Sequence, residues 1–285
     1  MEIRKVAVIG AGLMGTGIAQ VVGMGGYAVS VRDVAENILD KSKAKIEKKL
    51  RDLVDKGKLS DGAAKDALCR ITFVEDMKSA VKDVDYIIEA VPENLELKKR
   101  IFSELDRITK PSAILASNTS ELSIADIAGS TSRPKQVIGT HWFFPPQVMK
   151  LIEVAVTPET SKETLETTLA FSKRIGKETV VCKDAQGFIT SRAISALIAE
   201  ALRIHEEGIA SIEDIDKAMR LGLNHPIGPF QLTDMSGVDV VYHSLEGLQT
   251  VYGDRFKPTR EMAELLEKGE LGQKTGKGFY KHTVK

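Results

Sequence analysis

Several things are scarce or missing in this 285-residue chain, and each narrows the reading. It has only two cysteines, Cys69 and Cys182, far apart and without metal-ligand spacing, so we expect buried structural thiols rather than a disulfide, a metal site or sulfur redox chemistry. Lys plus Arg and Asp plus Glu both total 40, so no global basic field exists to recruit nucleic acid or an anionic membrane. No apolar run reaches the length of a membrane span, and a charged stub leads directly into a strand where a signal peptide would stand. A cytoplasmic protein is the expectation. Low-complexity linkers and short repeats are absent as well, while the length suffices for two domains.

What is present begins with an apolar run, residues 6–9, that enters Gly10-Ala11-Gly12-Leu13-Met14-Gly15, with Ile18, Ala19 and Val22 following at helical spacing. This reads as strand, tight turn and helix start. Gly10 permits the turn, Gly12 lets backbone approach a pyrophosphate, and Gly15 lets the helix pack closely on the strand, while the helix N-terminus offers N–H groups to anionic oxygens. A second strand, residues 27–31, leads to Asp33, about where an acid takes the adenosine ribose hydroxyls. A dinucleotide site is therefore expected, with NAD as cofactor. Arg32 could accept a 2′-phosphate, which leaves NADP open.

Strand-like runs recur at residues 71–73, 85–89, 113–116, 137–140, 151–154 and 179–182. Helical patterns lie at 38–54, 77–81, 95–108 and 161–175. This βαβ alternation predicts an α/β fold: a Rossmann-type, doubly wound, mostly parallel sheet with ligands beyond the strands' C-terminal ends. Beyond Asp184 the pattern turns helical, at 189–207, 212–221, 239–252 and 260–268. We place domains at 1–183 and 184–285, the second all-helical, and expect a cleft between them.

Ser117-Asn118-Thr119-Ser120 follows a strand, at the edge where the nicotinamide half of a cofactor would reach, although such clusters often only satisfy their own loop. His141 ends a strand and Glu153 ends or lies within the next, so the two could face one crevice. A neutral imidazole can take a hydroxyl proton, and a carboxylate on its other nitrogen fixes the tautomer and stabilises the imidazolium formed. A core histidine bonded to a carbonyl is the bland alternative. His205, His225, His243 and His282 are poorer candidates, and none has metal-like spacing. Trp142-Phe143-Phe144-Pro145-Pro146 is expected either to wall the histidine or simply to pack in the core.

Over essentially its whole length the chain resembles the short-chain L-3-hydroxyacyl-CoA dehydrogenases, of the 3-hydroxybutyryl-CoA type. The resemblance rests on the glycine turn continued through Ala19, on Pro92-Glu93-Asn94-Leu95, on Ser117 to Ser120, and on His141 followed by residues 148–154. It continues at Gly187-Phe188-Ile189, at residues 225–230 and at residues 274–280. The resemblance implies reversible oxidation of an (S)-3-hydroxyacyl-CoA, with His141 as general base, Glu153 as its orienting partner and Ser120 holding the substrate's 3-oxygen. It implies cofactor contacts at Gly10, Gly12, Leu13, Met14, Gly15, Asp33, Glu93, Lys98, Ser120 and Lys274, and coenzyme A contacts at Lys49 and Lys56, which otherwise read as solvated lysines. No metal is expected, and the C-terminal helices are expected to bury an apolar face in a homodimer. Two positions depart from the family pattern. Phe144 stands where the family has Asn, which would narrow and dry the pocket, and Ser191 replaces the Asn of Gly-Phe-Ile-Val-Asn-Arg, keeping one hydrogen-bonding group of shorter reach. Two rivals remain: a related dehydrogenase of a free hydroxy or sugar acid of the gulonate type, and an NAD-binding scaffold without chemistry.

Overall fold

The computed structural model describes residues 1–283 and separates into two compact units, residues 1–185 and residue 186 onward. The first unit is an eight-stranded sheet: β1 (Lys5–Ile9), β2 (Ala28–Arg32), β3 (Ile71–Val74), β4 (Tyr86–Glu89), β5 (Ile114–Ser117), β6 (Val137–Trp142), β7 (Leu151–Val156) and β8 (Glu178–Lys183), in the order β3-β2-β1-β4-β5-β6-β7-β8. The first six run parallel. β7 is antiparallel to β6, and β8 follows β7 in parallel. The segment joining β6 to β7, residues 143–150, is too short for a crossover helix, so the chain must turn back on itself.

The helices of this unit are α1 (Leu13–Met24), α2 (Glu36–Asp55), α3 (Asp61–Cys69), α4 (Met77–Ala80), α5 (Leu95–Ile108), α6 (Ile124–Ala128) and α7 (Lys162–Arg174). The central strands β1, β4 and β5 are almost wholly apolar, with polar residues only at strand ends (Lys5, Glu89, Ser117), because both sheet faces are covered. Tyr86 and Ile88 of β4 join one core with Ile18 and Val22 of α1 and Phe171 of α7, while Ile87, pointing the other way, is equally buried. Each such aliphatic side chain withdrawn from water contributes about 2 kcal/mol. In α2 only Leu39, Ser42, Ile46 and Leu50 are buried, so its lysines line an exposed face. Cys69 ends α3, whose buried face is Ala64 and Ala67. That spacing leaves the thiol exposed, contrary to expectation, and Cys182 is only half-buried; both are free.

The second unit holds α8 (Thr190–Glu206), α9 (Ile212–Gly222), α10 (Pro229–Ser236), α11 (Val238–Tyr252) and α12 (Arg260–Glu267) around a core that includes Ile198, Leu202, Phe230, Leu245 and Met262. Sequence periodicity misses α3, α6 and α10. The first has an alanine face with little contrast, the second is only five residues long, and the third is two turns long and opens at a proline. Among the described residues no helix is long and apolar enough to cross a membrane.

Candidate active site

Sheet register draws the candidate residues into a row. Ile9 pairs with Arg32 on one side and with Glu89 on the other, Glu89 pairs with Ser117, and Ser117 pairs with Gly139. The glycine turn, Asp33, residues 89–93, the 117–120 loop and His141 therefore all follow the same, C-terminal edge of the parallel strands, where such sheets bind ligands.

Gly10 has φ +104, and a Cβ there would stand 2.5 Å from the Ala90 carbonyl oxygen, so only glycine fits. A Cβ on Gly12 would meet nothing within 4 Å, which leaves open space in front of the turn. Helix α1 has no side-chain cap and no acid in its first turn, so its leading N–H groups suit a pyrophosphate. Leu13 is 64 % exposed at the mouth of this turn, Met14 is half-buried, and Gly15 lies against the Gly10 carbonyl. Asp33 accepts from the Ala11 N–H at 2.7 Å and from the Val34 N–H at 2.7 Å. The acid expected on the ribose thus also ties down the glycine turn, and each carboxylate oxygen keeps a lone pair for a ligand hydroxyl. These features fit a dinucleotide. Arg32 donates from Nε to the Glu75 carbonyl at 3.1 Å.

His141 lies inside β6, one residue short of its end, because the strand extends through Trp142. Its antiparallel partner across the ladder is Glu153, and this pairing sets Nδ1 2.7 Å from Glu153 Oε2, with the carboxylate fully buried. The Phe143 ring lies 4.4 Å from the imidazole. Phe144 is 62 % exposed and so does not wall the histidine; Trp142 is buried, and its backbone N–H donates to Asn118 Oδ1 at 2.9 Å, tying β6 to the hydroxyl loop.

Glu93 organises that loop: its Oε1 accepts from the Ser120 N–H at 2.9 Å and from the Thr119 hydroxyl, and its Oε2 lies 3.2 Å from Lys98 Nζ. Lys98, expected at the cofactor, is fully buried and spends its ammonium on Glu89, Glu93 and the Val91 carbonyl. Sequence reasoning missed Glu89. An acid closing an otherwise apolar, buried strand was the available signal, because such a charge must be partnered.

Lys49 and Lys56 line an open groove of about 710 Å³ together with Lys58, Lys150, Arg174 and the apolar Val148 and Met149. Lys177, at the same groove, is held by the carbonyls of Pro146 and Met149, and burial pushes its ammonium below the usual lysine range. In the second unit Lys274 Nζ pairs with Asp239 at 2.5 and 2.6 Å, and Ser191 is half-buried in the first turn of α8. Burial works against ionisation of Asp239, but the Lys274 contact outweighs it and holds that carboxyl below its ordinary range. Among the described residues no cluster of His, Cys, Asp or Glu could hold a metal ion.

Comparison with known proteins decides the family. The family profile for the NAD-binding domain of 3-hydroxyacyl-CoA dehydrogenase matches residues 5–185, and that for the C-terminal domain of the same enzymes matches residues 187–282. The chain belongs to the 3-hydroxyacyl-CoA dehydrogenase family. It is 42 % identical to the rat mitochondrial hydroxyacyl-coenzyme A dehydrogenase, over 98 % of this chain and 91 % of that protein. It is 41 % identical to the 3-hydroxybutyryl-CoA dehydrogenase of Clostridioides difficile, over 97 % and 98 % respectively. The crystal structure of the (S)-3-hydroxybutyryl-CoA dehydrogenase PaaH1 from Ralstonia eutropha superposes with a TM-score of 0.96 at 39 % identity, covering 99 % of this chain and all of that one. The chain is therefore an oxidoreductase of the 3-hydroxyacyl-CoA dehydrogenase class, and its cofactor is NAD.

Proposed function

We propose that this dehydrogenase interconverts (S)-3-hydroxyacyl-CoA and 3-oxoacyl-CoA, with 3-hydroxybutyryl-CoA as its substrate and His141 as general base. The observation that carries the reading is the 2.7 Å contact between His141 Nδ1 and the buried Glu153. A carboxylate acceptor at Nδ1 favours the tautomer protonated there, so Nε2 is the nitrogen that takes the proton. The imidazolium formed as the C3 hydroxyl loses its proton is stabilised by the adjacent negative charge. Ser120, held through its backbone by Glu93, donates to the substrate's 3-oxygen. Bound NAD supplies the acceptor for the hydride leaving C3.

Gly10, Gly12, Leu13, Met14 and Gly15 cradle the pyrophosphate, Asp33 takes the ribose hydroxyls, and Glu93 shapes the loop beside the nicotinamide half, with Lys98 acting through it. The basic groove at Lys49 and Lys56 suits the phosphates of coenzyme A, and its apolar Val148 and Met149 suit a pantetheine arm. A free sugar acid would have no use for it. The exposed Ile194, Leu221, Leu223, Val240 and Val251 of the helical unit favour a homodimer. The free thiols suit a reducing compartment such as the cytoplasm.

Following NADH and NADPH oxidation in parallel with acetoacetyl-CoA tests reaction class, thioester requirement and cofactor together. Turnover with NADH and acetoacetyl-CoA is expected; activity on gulonate alone would overturn the reading. His141→Gln should lower kcat by about 1,000-fold or more while NADH still quenches or enhances fluorescence as in the parent. Surviving turnover would remove His141 as the base.

A further inference from the structure

Glu89 ends β4, the strand next to β1 near the middle of the sheet, and no part of its side chain reaches solvent. Its Oε1 accepts from Lys98 Nζ at 2.7 Å and from the Val91 N–H at 2.8 Å, and its Oε2 accepts from the Ser117 hydroxyl at 2.6 Å. Lys98, equally buried, reaches on to Glu93 Oε2 at 3.2 Å, and the other Glu93 oxygen takes the Ser120 N–H at 2.9 Å. The circuit thus starts at Ser117 and returns to the same loop at Ser120. It clamps both ends of the segment that carries the hydroxyl.

Two carboxylates share one ammonium here, and the environments of the two differ. Glu89 is sealed in the sheet, whereas the Glu93 side chain is 39 % exposed and has solvent as an alternative partner. A buried ion pair is poor value for stability alone, because desolvation offsets the attraction, and it is best understood where it fixes a geometry. We infer that Glu89 is a positioning residue for hydride transfer: it immobilises Lys98, which holds Glu93 on the 117–120 loop and so sets where the Ser120 hydroxyl stands. Glu89 touches no reacting atom. Its effect on rate runs through a displacement of Ser120. This inference rests on the roles proposed for Ser120 and His141.

The test compares Glu89→Gln, Lys98→Met and the double variant, each normalised to active sites by NADH-binding stoichiometry. Glu89→Gln should lower kcat for acetoacetyl-CoA reduction by about 100-fold, the loss that a displacement near 1 Å can cause, with KM changed by no more than about threefold. Because the two residues act as one unit, the double variant should lose no more than the worse single variant. Should Glu89→Gln not fold, Ser117→Ala removes only the hydroxyl facing Glu89 Oε2, and about a fivefold fall in kcat at unchanged KM is expected. A folded Glu89→Gln with the parent's kcat, additive losses in the double variant, or an unaffected Ser117→Ala would each overturn the inference. A parent enzyme that turns over no acetoacetyl-CoA would instead defeat the proposed function, so the two failures are distinguishable.

Discussion

In the first unit the buried carboxylates Glu89 and Glu153 face an ammonium and an imidazole, whereas in the second unit the buried Asp216 faces two backbone N–H groups and a hydroxyl, and Asp234 stands between the two cases. Asp216, on α9, accepts from the Phe230 and Gln231 N–H groups at the start of α10, a cap supplied from a neighbouring helix, and from the Tyr280 hydroxyl at 2.9 Å. Asp234 takes the N–H groups of Phe279 and Tyr280 and meets His282 Nε2 at 2.7 Å, pinning the last described residues to α10. Burial, and after it the contact with Asp216, pushes the Tyr280 phenol well above its ordinary range, so it remains a donor. The lesson lies in the partner. Peptide N–H groups are fixed dipoles that neither titrate nor move, so a carboxylate among them is a fastening. A side-chain cation or imidazole can exchange a proton or shift, so a carboxylate on such a partner can tune chemistry.

That contrast can be broken by experiment. The largest effect is expected at Glu153→Gln, which keeps the shape but removes the charge and the preference for the Nδ1-protonated tautomer: kcat should fall by about 1,000-fold, with the thermal midpoint little changed. If kcat holds and only stability drops, Glu153 is a fastening like Asp216. Asp216→Asn should do the reverse, costing about 2 kcal/mol by leaving a buried donor or acceptor unmatched, seen as a lower denaturation midpoint, while kcat at 25 °C stays at the parent value. A rate loss there would blur the distinction between the units. The smallest effect is expected on the open groove. Lys49→Ala should raise KM for acetoacetyl-CoA by about fivefold, the scale of one solvent-screened charge contact, leave kcat alone, and matter less in high salt. An unchanged KM would take Lys49 out of the coenzyme A contact.

Much of the fold was legible because local signals were strong. The helix expected at 95–108 matches α5, where Asn94 caps Leu97 and the apolar residues keep helical spacing, and the glycine turn stands where its spacing put it. Other features needed the third dimension. Cys69 sits beside apolar residues in sequence but off the buried face of α3. Phe144 is two residues from buried Trp142 yet points to solvent. Lys98 reads as one charge among several on an amphipathic helix, and nothing local says that it reaches a carboxylate closing a strand nine residues earlier.

By itself the sequence determined the periodic and the covalent: where strand gives way to helix, where only glycine can turn, and which acids, bases and hydroxyls follow each strand. Tertiary structure decided the pairing. His141 meets Glu153 because β7 runs back against β6, and Glu89 meets Ser117 because β4 and β5 lie in parallel register. Such contacts depend on strand order and register, which arise from closing the sheet as a whole and are encoded in no single stretch of chain.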